Sequence, residues 1–180
     1  EKIKNTKLLL GLNYSIIGKN LKRRNTRKSK KNIIINFGNS FDFSKIEKNL
    51  KEILKLKHNI FICIGLFSIN YKYITNFSKK NKNIKILKNQ IFIDKISSKM
   101  DFFIGSAGNS IYENSYLRLP SIFFSLSDNQ ANDINELKIL GHQFFLTKNE
   151  LTNPRIIVLV KFIIKNIYKI KKSYQKINTI

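Results

Sequence analysis

The chain has 180 residues, of which 42% are hydrophobic, and this size predicts one domain with one hydrophobic core. Its single cysteine, Cys63, excludes an intramolecular disulfide and a cysteine-ligated metal cluster, and its position in an apolar run predicts a buried, inert thiol. The longest apolar stretch, residues 156–164, is too short for a transmembrane helix of roughly 20 residues. The formal charge of +23 favours polyanions, but the 34 basic residues are spread along the whole chain and the aromatic residues lie in apolar runs, so no specific nucleic-acid surface is predicted.

The first 32 residues are interpreted as a linker segment followed by a basic loop. Residues 6–17 are mostly apolar, whereas residues 19–31 are a run of lysine and arginine that is typical of a solvated connection. The chain begins with Glu1 and no signal-peptide pattern opens it. We therefore interpret it as an internal or C-terminal piece of a soluble, cytoplasmic protein.

From residue 33 to residue 180 the sequence alternates between predicted strands and predicted helices. The strands are short apolar runs at residues 33–37, 60–64, 84–87, 101–104, 121–126 and 144–146. Helices are predicted at residues 44–56, 110–119 and 131–140 from their amphipathic apolar spacing, and at residues 92–100 and 154–174 from the start residues Asp94 and Pro154. Ser44 and Glu47 are spaced as a capping box, and residues 65–82 show no clear pattern. This alternation predicts an α/β fold, a Rossmann-like parallel sheet with helices on both faces.

The segment 101–130 is interpreted as a strand, a tight turn, a helix and a second strand, and we expect the functional site at its polar turns. Ligands of open parallel sheets bind outside the carboxyl ends of the strands. The turn that runs from Gly105 through Gly108 and Asn109 to Ser110 leads into a helix, whose free N–H groups and dipole attract an anion such as a diphosphate. Glycines let such a ligand approach the backbone.

Two polar pairs in this segment have a purely structural interpretation as well. Ser110 and Glu113 have the spacing of a capping box, and Ser127 and Gln130 have the same spacing with glutamine in the last position. From the residues alone, ligand binding and helix capping are equally supported for Glu113 and for Gln130.

These stretches resemble a known enzyme family. GSAGNSIYE (residues 105–113) followed by LRLPSIFFSLSDNQ (residues 117–130) resembles the pattern GAGGSTxWE…GxPsivi…eNQ of the UDP-sugar hydrolases of pseudaminic-acid biosynthesis and their spore-coat-polysaccharide relatives, and more distantly the lipid-II GlcNAc transferases. LLLGLNYSII (8–17) is similar to the interdomain LLGxxYxxLR segment, and NIIINFGNSFDFSKI (32–46) to ILVSFGGSDPxNxT. The order and spacing agree across residues 6–146.

The resemblance implies a GT-B architecture of two Rossmann-like domains. This chain would supply the interdomain linker (residues 1–32) and the C-terminal, nucleotide-sugar-binding domain (residues 33–180), without the N-terminal domain. In that family Glu113 would hold the ribose hydroxyls of UDP, and Gly108, Asn109 and Ser110 would face the diphosphate. A carboxylate that accepts from two vicinal hydroxyls is good chemistry for ribose recognition.

The resemblance also implies roles at two further strand ends. Asn129 and Gln130 would face the sugar, and Gly38, Asn39 and Ser40 would approach the diphosphate or sugar from the other side. We assign no cofactor and no metal to this chain. We also assign no catalytic residue, because the hydrolytic histidine of the family lies in the N-terminal domain. Neither histidine of this chain, His58 or His142, matches that position, and both are predicted to be surface or turn residues.

Departures from the pattern leave the substrate open. Asn39 replaces the second glycine of FGGS, Asn109 and Ser110 stand where serine and threonine are usual, and Tyr112 stands for tryptophan. Three functions therefore stay under consideration. The chain is the UDP-binding half of a hydrolase that releases UDP from a UDP-diacetamido-trideoxyhexose in nonulosonic-acid biosynthesis, part of a GT-B glycosyltransferase, or a basic RNA-binding module.

Overall fold

The computed structural model describes residues 17, 21, 32–88, 96–127, 130 and 143–173. Its centre is a six-stranded sheet in the order β3-β2-β1-β4-β5-β6, in which every neighbouring pair is parallel. The strands are β1 (Asn32–Asn36), β2 (Asn59–Ile64), β3 (Ile84–Lys88), β4 (Phe102–Ser106), β5 (Ser121–Ser125) and β6 (Gln143–Thr147). The predicted Rossmann-like α/β fold is therefore confirmed.

Four α-helices are described around this sheet: α1 (Glu47–Leu54), α2 (Tyr71–Lys79), α3 (Ser110–Leu117) and α4 (Ile156–Lys172). A 3₁₀ helix, Phe43–Ile46, precedes α1, and a second, Lys148–Glu150, follows β6. None of the helices in this described part has the length and apolar character that crossing a membrane requires.

The two faces of the sheet bury separate clusters because successive strand residues point to opposite sides. On β1, Ile33 and Ile35 pack with α1, α2 and α4, whereas Ile34 packs on the α3 side. Phe102 and Phe103 on β4 divide in the same way. Strands that are covered on both faces read as continuous apolar runs, which is why the sequence pattern located them.

Most predicted elements are confirmed with small shifts at their ends. The interval 65–82, for which the sequence shows no clear pattern, contains α2. Two local predictions need correction. The predicted Ser44–Glu47 capping box is wrong, because Asp42 caps the 3₁₀ helix by accepting from the Ser44 N–H at 3.0 Å. His58 lies in the turn before β2, but it is buried, with Nδ1 2.6 Å from the Leu56 carbonyl oxygen.

Other predictions fall partly or wholly outside the described residues. They are the helix at 131–140, most of the helix at 92–100, the linker at 1–32 and the position of His142. The buried position predicted for Cys63 is confirmed. Burial also raises the pKa of its thiol to about 12.

Candidate functional site

The winding of the chain reverses between β1 and β4, which are neighbours at the centre of the sheet. β1 connects to β2 on one side, and β4 connects to β5 on the other side. The connections therefore leave this pair in opposite directions and open a crevice at its carboxyl ends, where ligands of open α/β sheets bind. Asn36 pairs with Gly105 in the register of the two strands, so the turns that follow them begin side by side.

The turn after β1, residues 37–40, is called the β1 turn. Gly38 has a φ of +87°, a conformation that side-chain-bearing residues rarely adopt. Its N–H donates to the Asn36 Oδ1 at 3.1 Å, which closes the turn. Gly38, Asn39 and Ser40 are all exposed. Three of the predicted ligand residues therefore lie exposed at the edge of the crevice.

The β1 turn is braced by the loop after β2, residues 65–70, called the β2 loop. A β-carbon on Gly65 would overlap the Cα of Asn39 and lie 2.8 Å from its Cβ, so the two backbones touch. The Ser68 hydroxyl accepts from the Gly65 N–H at 3.1 Å and donates to the Asn39 carbonyl at 3.4 Å. The sequence analysis missed Gly65 and Ser68, and a glycine directly after a buried strand was the available signal.

A second brace joins the same two loops through Asp42. Its Oδ1 accepts from the Ser44 N–H at 3.0 Å, from the Ser44 hydroxyl at 2.7 Å and from Asn70 Nδ2 at 3.0 Å. Partial desolvation opposes the charged form, but the bonds from Ser44 and Asn70 and the charge of Lys45 outweigh it, so the pKa of Asp42 is lowered. An ionised Asp42 thus stabilises the segment that carries the β1 turn.

The turn after β4, residues 107–109, is called the β4 turn. Ala107 is buried and its N–H donates to the Phe124 carbonyl on β5 at 2.9 Å, whereas Gly108 and Asn109 are exposed. A β-carbon on Gly108 would meet nothing within 4 Å, and its φ is not in the left-handed region. No steric demand within the described residues therefore requires glycine at 108.

Gly105 has a different role from the one predicted for it. It lies inside β4 and is buried, not in the turn. A β-carbon there would overlap the Asn36 carbonyl oxygen on β1 and lie 2.7 Å from the Phe103 ring. Gly105 thus allows β1 and β4 to approach each other at the base of the crevice, and its placement in the anion-binding turn is corrected.

The first turn of α3 presents its backbone donors towards the β4 turn. The N–H groups of Ile111 and Tyr112 donate to the carbonyls of Gly108 and Asn109, at 2.9 and 3.1 Å. Among the described residues, no acceptor takes the N–H of Gly108, Asn109 or Ser110. These three donors lie at the positive end of the helix dipole, which is a favourable position for an anion.

The Ser110–Glu113 capping box is absent. The N-cap is Asn109, which makes no side-chain cap bond, and Ser110 is already helical. The Ser110 hydroxyl donates to the Ser106 carbonyl at 3.3 Å, and the Glu113 N–H donates to the Asn109 carbonyl at 3.3 Å. The structural alternative for this pair is therefore wrong, and the half-buried Glu113 lies in the first turn of α3, directly behind the exposed donors.

Gln130 has a structural bond at the end of β5. Its Oε1 accepts from the Leu126 N–H at 2.9 Å, and its own N–H donates to the Ser127 carbonyl at 3.1 Å. The side chain thus closes the turn after β5, although it bonds to Leu126 and not to the Ser127 N–H that a capping box would use. Asn129 lies outside the described residues.

The parallel register brings the predicted residues of three strand ends to one edge of the sheet: Gly38, Asn39 and Ser40 after β1, Gly108, Asn109 and Ser110 after β4, and Gln130 after β5. His58 precedes β2 and is therefore at the opposite edge. The crevice combines three backbone N–H groups that have no acceptor among the described residues, a helix N-terminus and a carboxylate in the first turn of that helix. This arrangement can hold an anion and an adjoining group rich in hydroxyls.

No family model matches the chain, and no curated protein matches it. Solved structures do. MurG of Acinetobacter baumannii matches with a TM-score of 0.60 and 16% identity, over 82% of this chain and 45% of its own. The wall teichoic acid polymerase TagF matches with a TM-score of 0.54 and 18% identity, over 84% and 35%. The spinosyn rhamnosyltransferase SpnG, complexed with thymidine diphosphate, matches with a TM-score of 0.53 and 10% identity, over 82% and 42%.

The chain spans less than half the length of each of these proteins. It therefore has the fold of one Rossmann-like half of a GT-B glycosyltransferase, and at these identities the similarity concerns the fold alone.

Proposed function

We propose that the chain binds a UDP-sugar in the crevice between the β1 turn and the β4 turn, as the nucleotide-sugar half of an enzyme that releases UDP. The observation that carries this proposal is the reversal of winding between β1 and β4, with a glycine turn on each strand and the N-terminus of α3 at the same edge. The fold shared with glycosyltransferases, and the thymidine diphosphate in the SpnG structure, support a nucleoside diphosphate ligand.

Each part of the ligand has a partner in this proposal. The N–H groups of Gly108, Asn109 and Ser110 hold the diphosphate, because exposed donors at a helix N-terminus favour an anion. Glu113 accepts from the 2′ and 3′ hydroxyls of the ribose. The carboxylate is one helical turn behind the donors, so it meets the hydroxyl-bearing part of the nucleotide and not the phosphates.

The sugar lies towards the other strand ends. Gly38, Asn39 and Ser40 approach the sugar or the second phosphate from the β1 side, and Asn129 and Gln130 approach it from the β5 side. Gln130 already uses Oε1 to close its own turn, which leaves the amide nitrogen as the group for a sugar hydroxyl or acetamide oxygen.

The reaction breaks the bond between the anomeric carbon and the diphosphate oxygen, and UDP leaves with the electron pair. The positive end of α3 stabilises the charge that develops on this oxygen. In a hydrolase, water attacks the anomeric carbon. In a glycosyltransferase, an acceptor hydroxyl does so. We assign the role of general base to no residue of this chain.

Two activities use this same site. Hydrolysis of a UDP-diacetamido-trideoxyhexose is supported by the sequence resemblance to the pseudaminic-acid enzymes. Glycosyl transfer is supported by the structural neighbours, which include a teichoic acid polymerase and a rhamnosyltransferase. A product assay on the longest available form of the protein, with and without acceptor alcohols, separates them. Release of free sugar without an acceptor supports hydrolysis, whereas UDP release that depends on the acceptor supports transfer.

The binding proposal itself is tested by thermal unfolding of the 180-residue chain with UDP, UMP and no ligand. A ligand at about one hundred times its dissociation constant stabilises the folded state by about 2.7 kcal/mol. We expect UDP to raise the melting temperature and UMP, which lacks the second phosphate, to raise it less. No shift with UDP at roughly millimolar concentration contradicts the proposal, and tight binding of homopolymer RNA at physiological salt supports the RNA-binding alternative.

A further inference from the structure

The outer face of α4 is a surface that the proposed nucleotide site does not use. α4 buries one stripe of apolar residues against the sheet: Ile156, Val160, Ile163, Ile167 and Ile170. The opposite side is exposed, and at 3.6 residues per turn its side chains lie within an arc of about 120°. This surface, called the α4 outer face, consists of Val158, Lys161, Phe162, Lys165, Tyr168 and Lys169.

Three of these residues expose large apolar side chains. Val158 is 65% exposed, Phe162 51% and Tyr168 50%. The Phe162 ring meets the Phe144 ring edge to face, with centroids 6.3 Å apart, and half of it still faces solvent. One exposed apolar residue is ordinary, but three along one face of one helix form a patch that a partner can cover.

The same face carries only positive charge. α4 contains five lysines and no acidic residue between Ile156 and Lys172. The salt bridges Lys51–Glu47 and Lys55–Glu52 lie at α1 and involve no lysine of this face. Lysine stems can lie along an apolar surface while their ammonium groups reach outwards. The face thus combines apolar side chains with a layer of cations.

We propose that the α4 outer face docks on an anionic lipid surface, with α4 parallel to the membrane plane. A helix that lies in an interface has exposed aromatic and aliphatic residues flanked by lysine, and each cation is attracted to anionic headgroups. Single-stranded RNA is the weaker candidate, because proteins that bind it use a positively charged groove with stacking aromatic rings, whereas this face is the convex side of one helix. This inference stands independently of the nucleotide site.

The chain has no tryptophan, so a single introduced indole reports on one position. Tyr168→Trp places it on the α4 outer face, and Phe67→Trp places it in the β2 loop, where the native side chain is 74% exposed. We expect vesicles of phosphatidylcholine and phosphatidylglycerol to shift the emission of the Tyr168→Trp protein to shorter wavelength, and to leave that of Phe67→Trp unchanged. Vesicles of phosphatidylcholine alone should shift neither.

Vesicle co-sedimentation of double variants separates the two parts of the surface. Lys165→Gln with Lys169→Gln should weaken binding to anionic vesicles by about tenfold or more, whereas the charge-matched control Lys72→Gln with Lys79→Gln on α2 should weaken it far less. Val158→Gln with Tyr168→Gln should also weaken it, unlike Leu66→Gln with Phe67→Gln, which removes apolar side chains that are more exposed.

Three results would overturn the proposal. The first is a loss of vesicle binding that is equal in the α4 variants and in their controls, and the second is binding that does not depend on the charge of the lipid. The third is binding to homopolymer RNA that is tighter than vesicle binding and does not depend on Val158 and Tyr168. Circular dichroism of each variant shows whether it is folded, so a loss of binding can be attributed to the surface.

Discussion

The backbone of Asn39 lies directly against Gly65, and a β-carbon on Gly65 would overlap it. The β1 turn therefore keeps its position only while residue 65 has no side chain. We expect Gly65→Ala to destabilise the protein by about 1–3 kcal/mol, because a backbone cannot yield as a flexible side chain can. The displaced turn should also bind UDP less tightly.

Urea unfolding and calorimetric titration with UDP measure the two effects of Gly65→Ala. Ser68→Ala is the matched control, because it removes the hydroxyl that bonds the Gly65 N–H and the Asn39 carbonyl without creating a steric conflict. If Gly65→Ala is as stable as wild type and binds UDP normally, the contact between the two loops does not position the β1 turn.

Gly108→Ala tests close approach of the ligand without disturbing the fold. Its β-carbon would meet nothing within 4 Å, and the backbone conformation suits alanine. We therefore expect the free energy of unfolding to change by less than about 0.5 kcal/mol. UDP affinity should fall by about tenfold or more, since the methyl group occupies the space in which the diphosphate meets the N–H groups. Unchanged affinity would place the diphosphate elsewhere.

Glu113→Gln tests the ribose contact. The neutral amide offers one acceptor oxygen in place of a charged pair, at a cost of roughly 1.5–3 kcal/mol in UDP binding, which is about tenfold or more in affinity. 2′,3′-Dideoxy-UDP should bind wild type about as weakly as UDP binds the variant. The variant should distinguish the two nucleotides less than wild type does, because the amide keeps only part of the interaction that the dideoxy nucleotide lacks. Calorimetric titration of both proteins with both nucleotides gives the four affinities, and a variant that prefers UDP as strongly as wild type does contradicts the role of Glu113.

The lowered pKa of Asp42 leads us to expect that the stability of the protein depends on pH. Its pKa is lowered in the folded state, so its stabilising contribution is complete above the ordinary value of 3.8 and is lost as the pH falls through the lower folded-state value. Asp42→Ala should reduce the free energy of unfolding by about 1 kcal/mol at neutral pH. The difference from wild type should narrow below about pH 4.

The control for this prediction is Asp42→Asn, which keeps an acceptor for the Ser44 N–H but does not titrate. Its difference from wild type at neutral pH should be smaller than that of alanine. Urea unfolding at several pH values measures both variants. A deficit of Asp42→Ala that is the same at acidic and neutral pH would show that the carboxylate charge contributes nothing.

The buried position of Cys63 leads to a prediction about the reactivity of its thiol. Burial raises its pKa to about 12, and the thiolate is the form that reacts, so the folded protein should be inert to thiol reagents at neutral pH. Labelling with a thiol-specific chromophore should be slow in buffer and fast in urea, with the same midpoint as circular dichroism. Rapid labelling of the folded chain would contradict the buried position.

The sequence predicted best those elements whose signal is local and continuous. β4 and β5 are uninterrupted apolar runs because α3 covers one face of the sheet and α1 and α4 the other, so their pattern needs no knowledge of the partners. α2 was missed because it buries only Ile74 fully and otherwise carries half-buried tyrosine and phenylalanine, residues that favour strands. Its N-cap is Asn70, a residue type that is common at helix starts, but this residue is left-handed and makes no side-chain cap bond.

The location of the candidate site could be predicted from the ends of the strands. The roles of some of its residues could not, because they depend on contacts with residues that are distant in the sequence. The sequence pattern placed Gly105 in the turn, because it cannot show the contact of Gly105 with Asn36, a residue on a strand from the other half of the sheet. Ser44 and Glu47 have the spacing of a capping box, but the helix is capped by Asp42, two residues before Ser44. Asp42 also accepts a hydrogen bond from Asn70. A sequence motif shows that a cap is possible, whereas the tertiary structure decides which of two competing acceptors is used.

The strand order has a consequence for the folding kinetics of the chain. Among the described strands, only the pair β1–β4 joins strands that are not consecutive in sequence, with Ile33 against Phe102. Its loop is the longest to close, so we expect the three-strand units β1–β3 and β4–β6 to form early and to join in the rate-limiting step. Pulsed hydrogen exchange during refolding should show protection at the β2–β3 and β5–β6 pairs before the β1–β4 pair. Simultaneous protection of all five pairs would instead indicate that the sheet assembles in a single event.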